Sequence, residues 1–190
     1  YIVRENRTFD QELGSNGRSN ADPSLNLFGE ESAPNTRALA RQFTTFDNFY
    51  ADAEVSANGW NWVSQANSNP WSEEMWPSNY SGRGAPYPAE SNDPDSRAKE
   101  HDSYFWEHLS KNNISFRNYG FYTTLDKKGK AHGVDKKILD PNTDHDFIGW
   151  SLDCPDSARS FAPMAKNCGP KSRVDEWKSD FNKQLAKGSV

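Results

Sequence analysis

The sequence has no apolar run near the length of a membrane span, no basic stripe and only two cysteines, and each scarcity removes a class of function. A bilayer-crossing helix needs about 20 consecutive apolar residues, so no span is expected. A formal net charge of -5 and a pI near 5.4, without clustered Lys and Arg, exclude a general binder of nucleic acid. A small phosphate ester is not excluded, because a local metal ion outweighs a diffuse negative field. Apolar residues are also scarce, at 34% with a mean hydropathy of -1.00, so long polar loops are expected. Aromatics run the other way. Seven Trp, 7 Tyr and 11 Phe are more large apolar groups than a disordered chain carries, and they imply a folded, loop-rich protein. At 190 residues the chain is one domain or a large piece of one.

No signal peptide is visible, and the chain opens on Tyr1-Ile2-Val3, which reads as a strand already under way. The natural N-terminus is therefore expected upstream, or removed. Cys154 and Cys168, with 13 residues between them in a Pro- and Gly-containing stretch, are spaced for a disulfide, with two free thiols as the alternative. The Asn- and Trp-rich composition suggests export, to a periplasmic or extracellular location.

Periodicity and turn chemistry divide the chain further. Tyr1 to Arg4 reads as a short buried strand, followed by a polar cluster and a helical turn through Leu13. Gly14 to Asn26 is loop. Pro34 to Phe43 reads as a surface helix with Leu39 and Phe43 on one face. The aromatic stretch Phe46 to Tyr50 leads to Glu54-Val55-Ser56-Ala57-Asn58-Gly59, where a strand would end and a helix through Gln65 would start. Residues 67 to 100 hold five of the eleven prolines and many Asn, Ser and Gly, and read as a long irregular excursion. Beyond it come a helix carrying Phe105, Trp106 and Leu109, a strand from Ile114 to Thr124, and a solvated loop or hairpin tip from Lys127 to Lys137. Ser172 caps a last helix whose apolar positions are Val174, Trp177, Phe181 and Leu185, with Gly188 as its stop. No internal repeat is evident.

Two places carry chemistry. Glu5 and Asn6 follow the first strand, at the edge where open α/β sheets gather ligands, and both supply hard oxygen donors suited to a divalent cation. The plainer alternative is a Glu5/Arg7 surface ion pair beside a turn-forming Asn6. Ser56 stands at a helix start, where the dipole and backbone N–H groups favour an activated hydroxyl and a phosphoryl oxygen; an ordinary capping serine is the alternative. Asp144-His145-Asp146 reads as structural, because neighbouring side chains there point in different directions. His101, His108 and His132 show no ligand spacing. Trp60, Trp62, Trp71 and Trp76 either line a glycan- or lipid-binding surface or pack beneath the loops.

At the same two places the sequence resembles a known family. Glu5-Asn6-Arg7-Thr8-Phe9-Asp10 resembles the Glu-Asn-Arg-Ser/Thr-Phe/Tyr-Asp signature of the bacterial phosphoesterases that include phospholipases C of phosphatidylcholine type and related acid phosphatases, in the alkaline phosphatase superfamily. The stretches Leu39-Ala-Arg-Gln-Phe, Asp47-Asn48-Phe49-Tyr50, Glu54 to Gly59, Asn61-Trp62, Trp76-Pro77 and Tyr80-Ser81-Gly82-Arg83 are similar to a subgroup often found beside a β-propeller. The likeness continues to Asp156 and the last helix. It implies that Glu5, Asn6 and Ser56 contact a divalent metal ion (Zn, Mn, Ca or Mg) and that Ser56 is the nucleophile. The subgroup reads Ser-Ala-Asp-Gly-His where this chain has Asn58 and Trp60, a departure that implies weaker metal binding or an altered substrate.

What the resemblance implies overall is a three-layer α/β/α sandwich of alkaline-phosphatase type with a loop-rich, cap-like insertion, incomplete in this chain. Residues 1–66 would open the core, 67–170 form the insertion with some core elements, and 171–190 lead back to the core. The expected activity is hydrolysis of a small phosphoester or phospholipid headgroup through a phosphoseryl intermediate, with Asn61 helping to hold the phosphoryl oxygens. Further Asp and His ligands would come from the remainder of the same protein or from a second chain. The rival expectation is a non-catalytic module that uses the same fold to bind a glycan, a lipid or a partner subunit.

Overall fold

The structure, a computed structural model, describes residues 1–3, 7–68, 70–79, 83, 104–147 and 172–188. They form two compact units, Tyr1–Asp52 and Ala53–Val190. Among the described residues the protein is mixed, with six α-helices and one small two-stranded sheet.

In the first unit, Thr8 starts α1 (Phe9–Leu13) with a reciprocal cap: its hydroxyl accepts the Gln11 N–H at 3.2 Å, and the Gln11 side chain accepts the Thr8 N–H at 3.2 Å. Pro34 sits in the first turn of α2 (Pro34–Gln42), where its missing N–H costs nothing. Leu39 and Phe43 are exposed, as a surface helix requires. Leu13 is the one buried hydrophobic residue among those described here, and the interior is completed by Arg37. Its guanidinium donates to the Glu12 carbonyl at 3.0 Å, to the Phe28 carbonyl at 2.6 and 3.1 Å, and to Asn26 Oδ1 at 2.6 Å. The expected opening strand is not formed over Tyr1–Val3, which are exposed and make no sheet pairing; Arg4 lies outside the described residues. Phe46 to Tyr50 form no strand either, and Phe46, Phe49 and Tyr50 stand in solvent.

The second unit begins with α3 (Ser56–Gln65), which ends on Ala66 in the left-handed region at φ 52°. Next is α4 (Pro70–Asn79), a helix inside the stretch expected to be irregular. Then come α5 (Phe105–Lys111), the antiparallel pair β1 (Thr123–Leu125) and β2 (Ala131–Gly133), a 3-10 turn over Asp140–Asn142, and α6 (Arg173–Ala186). The strand expected from Ile114 to Thr124 shrinks to its last residues. Asn118 bonds both the N–H and the carbonyl of Phe121 through its side chain, and Gly120 and Tyr122 take positive φ values of 79° and 47°, so the chain turns before it can extend. The Lys-rich stretch is a hairpin tip, closed where Asp126 Oδ1 accepts the N–H groups of Lys128 and Lys130 at 2.8 and 2.9 Å.

The core of this unit is aromatic. Trp60, Tyr104, Trp106, Tyr122, Val134 and Leu139 are buried together, with Phe105, Phe116, Phe121 and Ile138 packed against them. Tyr104 stacks on Trp106 with ring centroids 4.3 Å apart, and the Trp106 indole N–H donates to Asp135 at 3.2 Å. Trp60 thus packs beneath the loops and belongs to no binding surface. Cys154, Cys168 and His101 lie outside the described residues.

Candidate functional site

Ser56 is the first residue of α3, and it is half-buried. Val55 caps the helix in extended geometry, and its carbonyl takes the N–H groups of Asn58 and Gly59 at 3.1 and 3.0 Å. The Ser56 hydroxyl therefore stands in the first turn of a ten-residue helix, at the positive end of its dipole. The next turns face inward. Asn58 is buried and its Oδ1 accepts the Ser68 hydroxyl at 2.5 Å; Trp60 packs on Phe121 with centroids 4.6 Å apart. Asn61 is fully buried, and its Oδ1 accepts the Tyr122 hydroxyl at 3.1 Å while its Nδ2 has no hydrogen-bond partner. Glu5 and Asn6 lie outside the described residues.

A second constellation surrounds the hairpin. His132, on β2, sets Nδ1 3.3 Å from Asp140 Oδ1 and Nε2 3.6 Å from Asp126 Oδ2. Asp140 is held in place by the Gly133 N–H, which donates to its Oδ1 at 2.7 Å. His145 lies beside His132 with ring centroids 4.5 Å apart, and its Nδ1 is 2.6 Å from the Ala131 carbonyl and 3.9 Å from Asp140 Oδ1. One ligand-capable atom from each of His132, Asp140 and His145 lies within 4.8 Å of the other two. Asp126 is held below the usual carboxylate range, chiefly by the Lys130 N–H and further by Lys128 and His132.

The flanking acids go elsewhere. Asp144 and Asp146 meet Glu176 of α6, and Lys130 pairs with Asp146. Burial pushes the Asp144 carboxyl above its ordinary value, helped by Asp180 and Glu176, and its Oδ2 has no hydrogen-bond partner. Nearby, Arg117 clasps Asp180 through two bonds of 2.7 and 3.0 Å, and the Tyr119 hydroxyl donates to Asp180 at 2.9 Å. Burial alone would raise Asp180, but the bonds from Arg117, Tyr119 and Gln184 bring it below the carboxylate range. Burial and the bond to Asp180 lift the Tyr119 phenol to about 12.

Asp144-His145-Asp146 does send its side chains in different directions, as expected, yet each direction meets partners. Sequence reasoning missed the His132/Asp140/His145 group because its members come from a strand, a 3-10 turn and a loop, so no single periodicity links them. The usable signal was proximity: all three fall within the short stretch that closes back on the hairpin. Comparison of the chain with protein-family models, with curated proteins and with solved structures finds no match.

Proposed function

We propose that the protein hydrolyses phosphoric esters in a metal-dependent reaction, phosphatase-like or phospholipase C-like, with Ser56 as nucleophile. The observation that carries this reading is the place of Ser56 in the first turn of α3, where dipole and backbone N–H groups favour both an anionic hydroxyl and a phosphoryl oxygen. Support also comes from the resemblance of Glu5 to Asp10 to the phosphoesterase signature. The resemblance implies the donor set: the Glu5 carboxylate, the Asn6 amide oxygen and the Ser56 hydroxyl are hard oxygen ligands of the kind a divalent cation takes. When bound, the cation, Zn, Mn, Ca or Mg, supplies a lowered hydroxyl pKa and offsets charge on the phosphoryl oxygens.

Ser56 Oγ attacks phosphorus in line, the bond from phosphorus to the leaving oxygen breaks, and the alcohol departs with a proton. Water then attacks the phosphoseryl phosphorus, which breaks the bond to Oγ, restores the serine hydroxyl and frees the phosphate or phosphomonoester. Asn61, which the resemblance would have hold a phosphoryl oxygen, is fully buried against the Tyr122 hydroxyl, so its part is to fix α3 on the aromatic core behind Ser56. The substrate is a small phosphoester or phospholipid headgroup, in a periplasmic or extracellular setting. The fold that serves this chemistry is the α/β/α sandwich of alkaline-phosphatase type, its remaining ligands supplied by further parts of the same protein or a second chain. In p-nitrophenyl phosphate and bis(p-nitrophenyl) phosphate assays, chelation should abolish hydrolysis and Ser56→Ala should lower it on the order of a thousandfold or more. Undiminished turnover by Ser56→Ala would remove Ser56 from the mechanism.

A second reading, a non-catalytic binding or assembly module, is favoured by the exposed aromatics Phe43, Phe46, Phe49 and Tyr50, 63 to 87% accessible within one short stretch. It predicts no turnover of either ester with any of the four metals.

A further inference from the structure

We infer that His132, Asp140 and His145 form a binding site for a divalent transition-metal ion of the zinc class. This site uses none of Glu5, Asn6 and Ser56, and its case does not rest on the hydrolase reading. Two imidazoles and one carboxylate are the ligands that borderline ions such as Zn²⁺ and Co²⁺ select, whereas Ca²⁺ and Mg²⁺ prefer oxygen alone.

The distances suit such an ion. In a tetrahedral site with bonds of about 2.1 Å, ligand atoms stand roughly 3.4 Å apart. Here His132 Nδ1 lies 3.3 Å from Asp140 Oδ1, and one donor atom from each of the three residues is within 4.8 Å of the others.

The outer partners are the independent observation. Metal-binding histidines almost always engage their second ring nitrogen with a carboxylate or a backbone carbonyl, which fixes the ring and the tautomer. Both rings have such a partner. His132 turns Nε2 toward Asp126 Oδ2 at 3.6 Å while Nδ1 faces Asp140. His145 donates Nδ1–H to the Ala131 carbonyl at 2.6 Å, so its lone pair resides on Nε2. The two residues are also joined through the backbone, where the Ala131 N–H donates to the His145 carbonyl at 2.8 Å. Asp140 is aimed by the Gly133 N–H. The side chains of His132, Asp140 and His145 are 33, 20 and 45% exposed, which leaves a wet side for a water or an exchangeable ligand in the fourth position. A bound ion would tie β2 to the 3-10 turn and to the loop after it.

The test is titration of the untagged full chain, its thiols alkylated, with Co²⁺ followed by visible absorption and then with competing Zn²⁺. The wild type should show a high-intensity spectrum of low-coordinate Co²⁺ that Zn²⁺ displaces. His132→Ala/His145→Ala should lose one equivalent of Zn²⁺. The single variants His132→Gln and His145→Gln, which keep the ring volumes more nearly filled, should each weaken binding at least about tenfold, should the double variant misfold. Asp126→Asn should keep the stoichiometry and weaken affinity about 10- to 100-fold. Ser56→Ala should keep the Co²⁺ spectrum and the Zn²⁺ equivalent that His132 and His145 account for, which separates failure here from failure of the hydrolase reading. Unchanged Zn²⁺ affinity in both single variants, or no displaceable Co²⁺ spectrum in the wild type, would overturn the site.

Discussion

Asp180 is a buried carboxylate whose charge is kept by its neighbours. Arg117 and Tyr119 reach it from the segment after α5, and Gln184 reaches it from one turn further along α6 at 3.3 Å. Its folded pKa lies below its unfolded value, so it contributes stability that is present above the ordinary aspartate value, about 3.9, and is lost as pH falls through the depressed one. Asp180→Asn should therefore cost on the order of 2 kcal/mol at neutral pH, less than a fully buried pair would, because Arg117 retains some solvent. It should also flatten the acid side of the stability profile. Urea denaturation across a pH series measures both, and an unchanged acid limb would show that Asp180 is not held charged. Tyr119 follows the opposite sign. Its phenol is raised, so its contribution persists below about 10 and fades as pH climbs through about 12.

The hairpin shows how one glycine fits two elements together. A Cβ on Gly133 would sit 2.7 Å from the Asp140 backbone N, 2.9 Å from its Cα and 2.9 Å from Thr143 Oγ1. Backbone atoms cannot yield as a side chain can, so Gly133→Ala should cost about 1–3 kcal/mol in denaturant unfolding and push Asp140 off its N–H donor. Unaltered stability would mean that the turn over Asp140–Asn142 slides freely. Local chemistry of this kind was legible in part. Ser172, with its hydroxyl accepting the Asp175 N–H at 3.0 Å, was readable as a cap, as were the starts of α2 and α3 and the solvated tip of the hairpin. The orientation of α6 was not. Its apolar stripe has helical spacing, yet Val174, Trp177 and Leu185 are 40 to 48% exposed while Glu176 and Asp180 are buried, because Arg117 and Tyr119 draw the acidic face inward. Spacing tells which residues share a face, whereas the side that is buried depends on distant partners. Of the proposed sites, Ser56 was visible from its helix start. The histidine pair was hidden because His145 looked like one member of an acid cluster from which it turns away.

The two units are stabilised by different physics. Ala53–Val190 holds a connected aromatic core, in which Trp106 and Tyr122 are fully buried and burial of rings dominates. Tyr1–Asp52 buries one apolar residue, Leu13, among those described, and depends on the Arg37 fork spread over two backbone carbonyls and one side-chain oxygen. Hydrogen bonds contribute modestly net of water, so a unit this small with so thin an apolar interior belongs at the low end of local stability. Amides of α1 and α2 should exchange with solvent deuterium well before those of α5 and the β1/β2 pair. Arg37→Lys should remove most of the protection that α1 and α2 retain, because an ammonium cannot reproduce the planar fork. The near-ultraviolet circular dichroism of the stacked Tyr104 and Trp106 should persist in that variant. Equal exchange in both units, or loss of the aromatic signal with Arg37→Lys, would mean that the chain unfolds as one cooperative body and that the polar centre around Arg37 is coupled to the aromatic core.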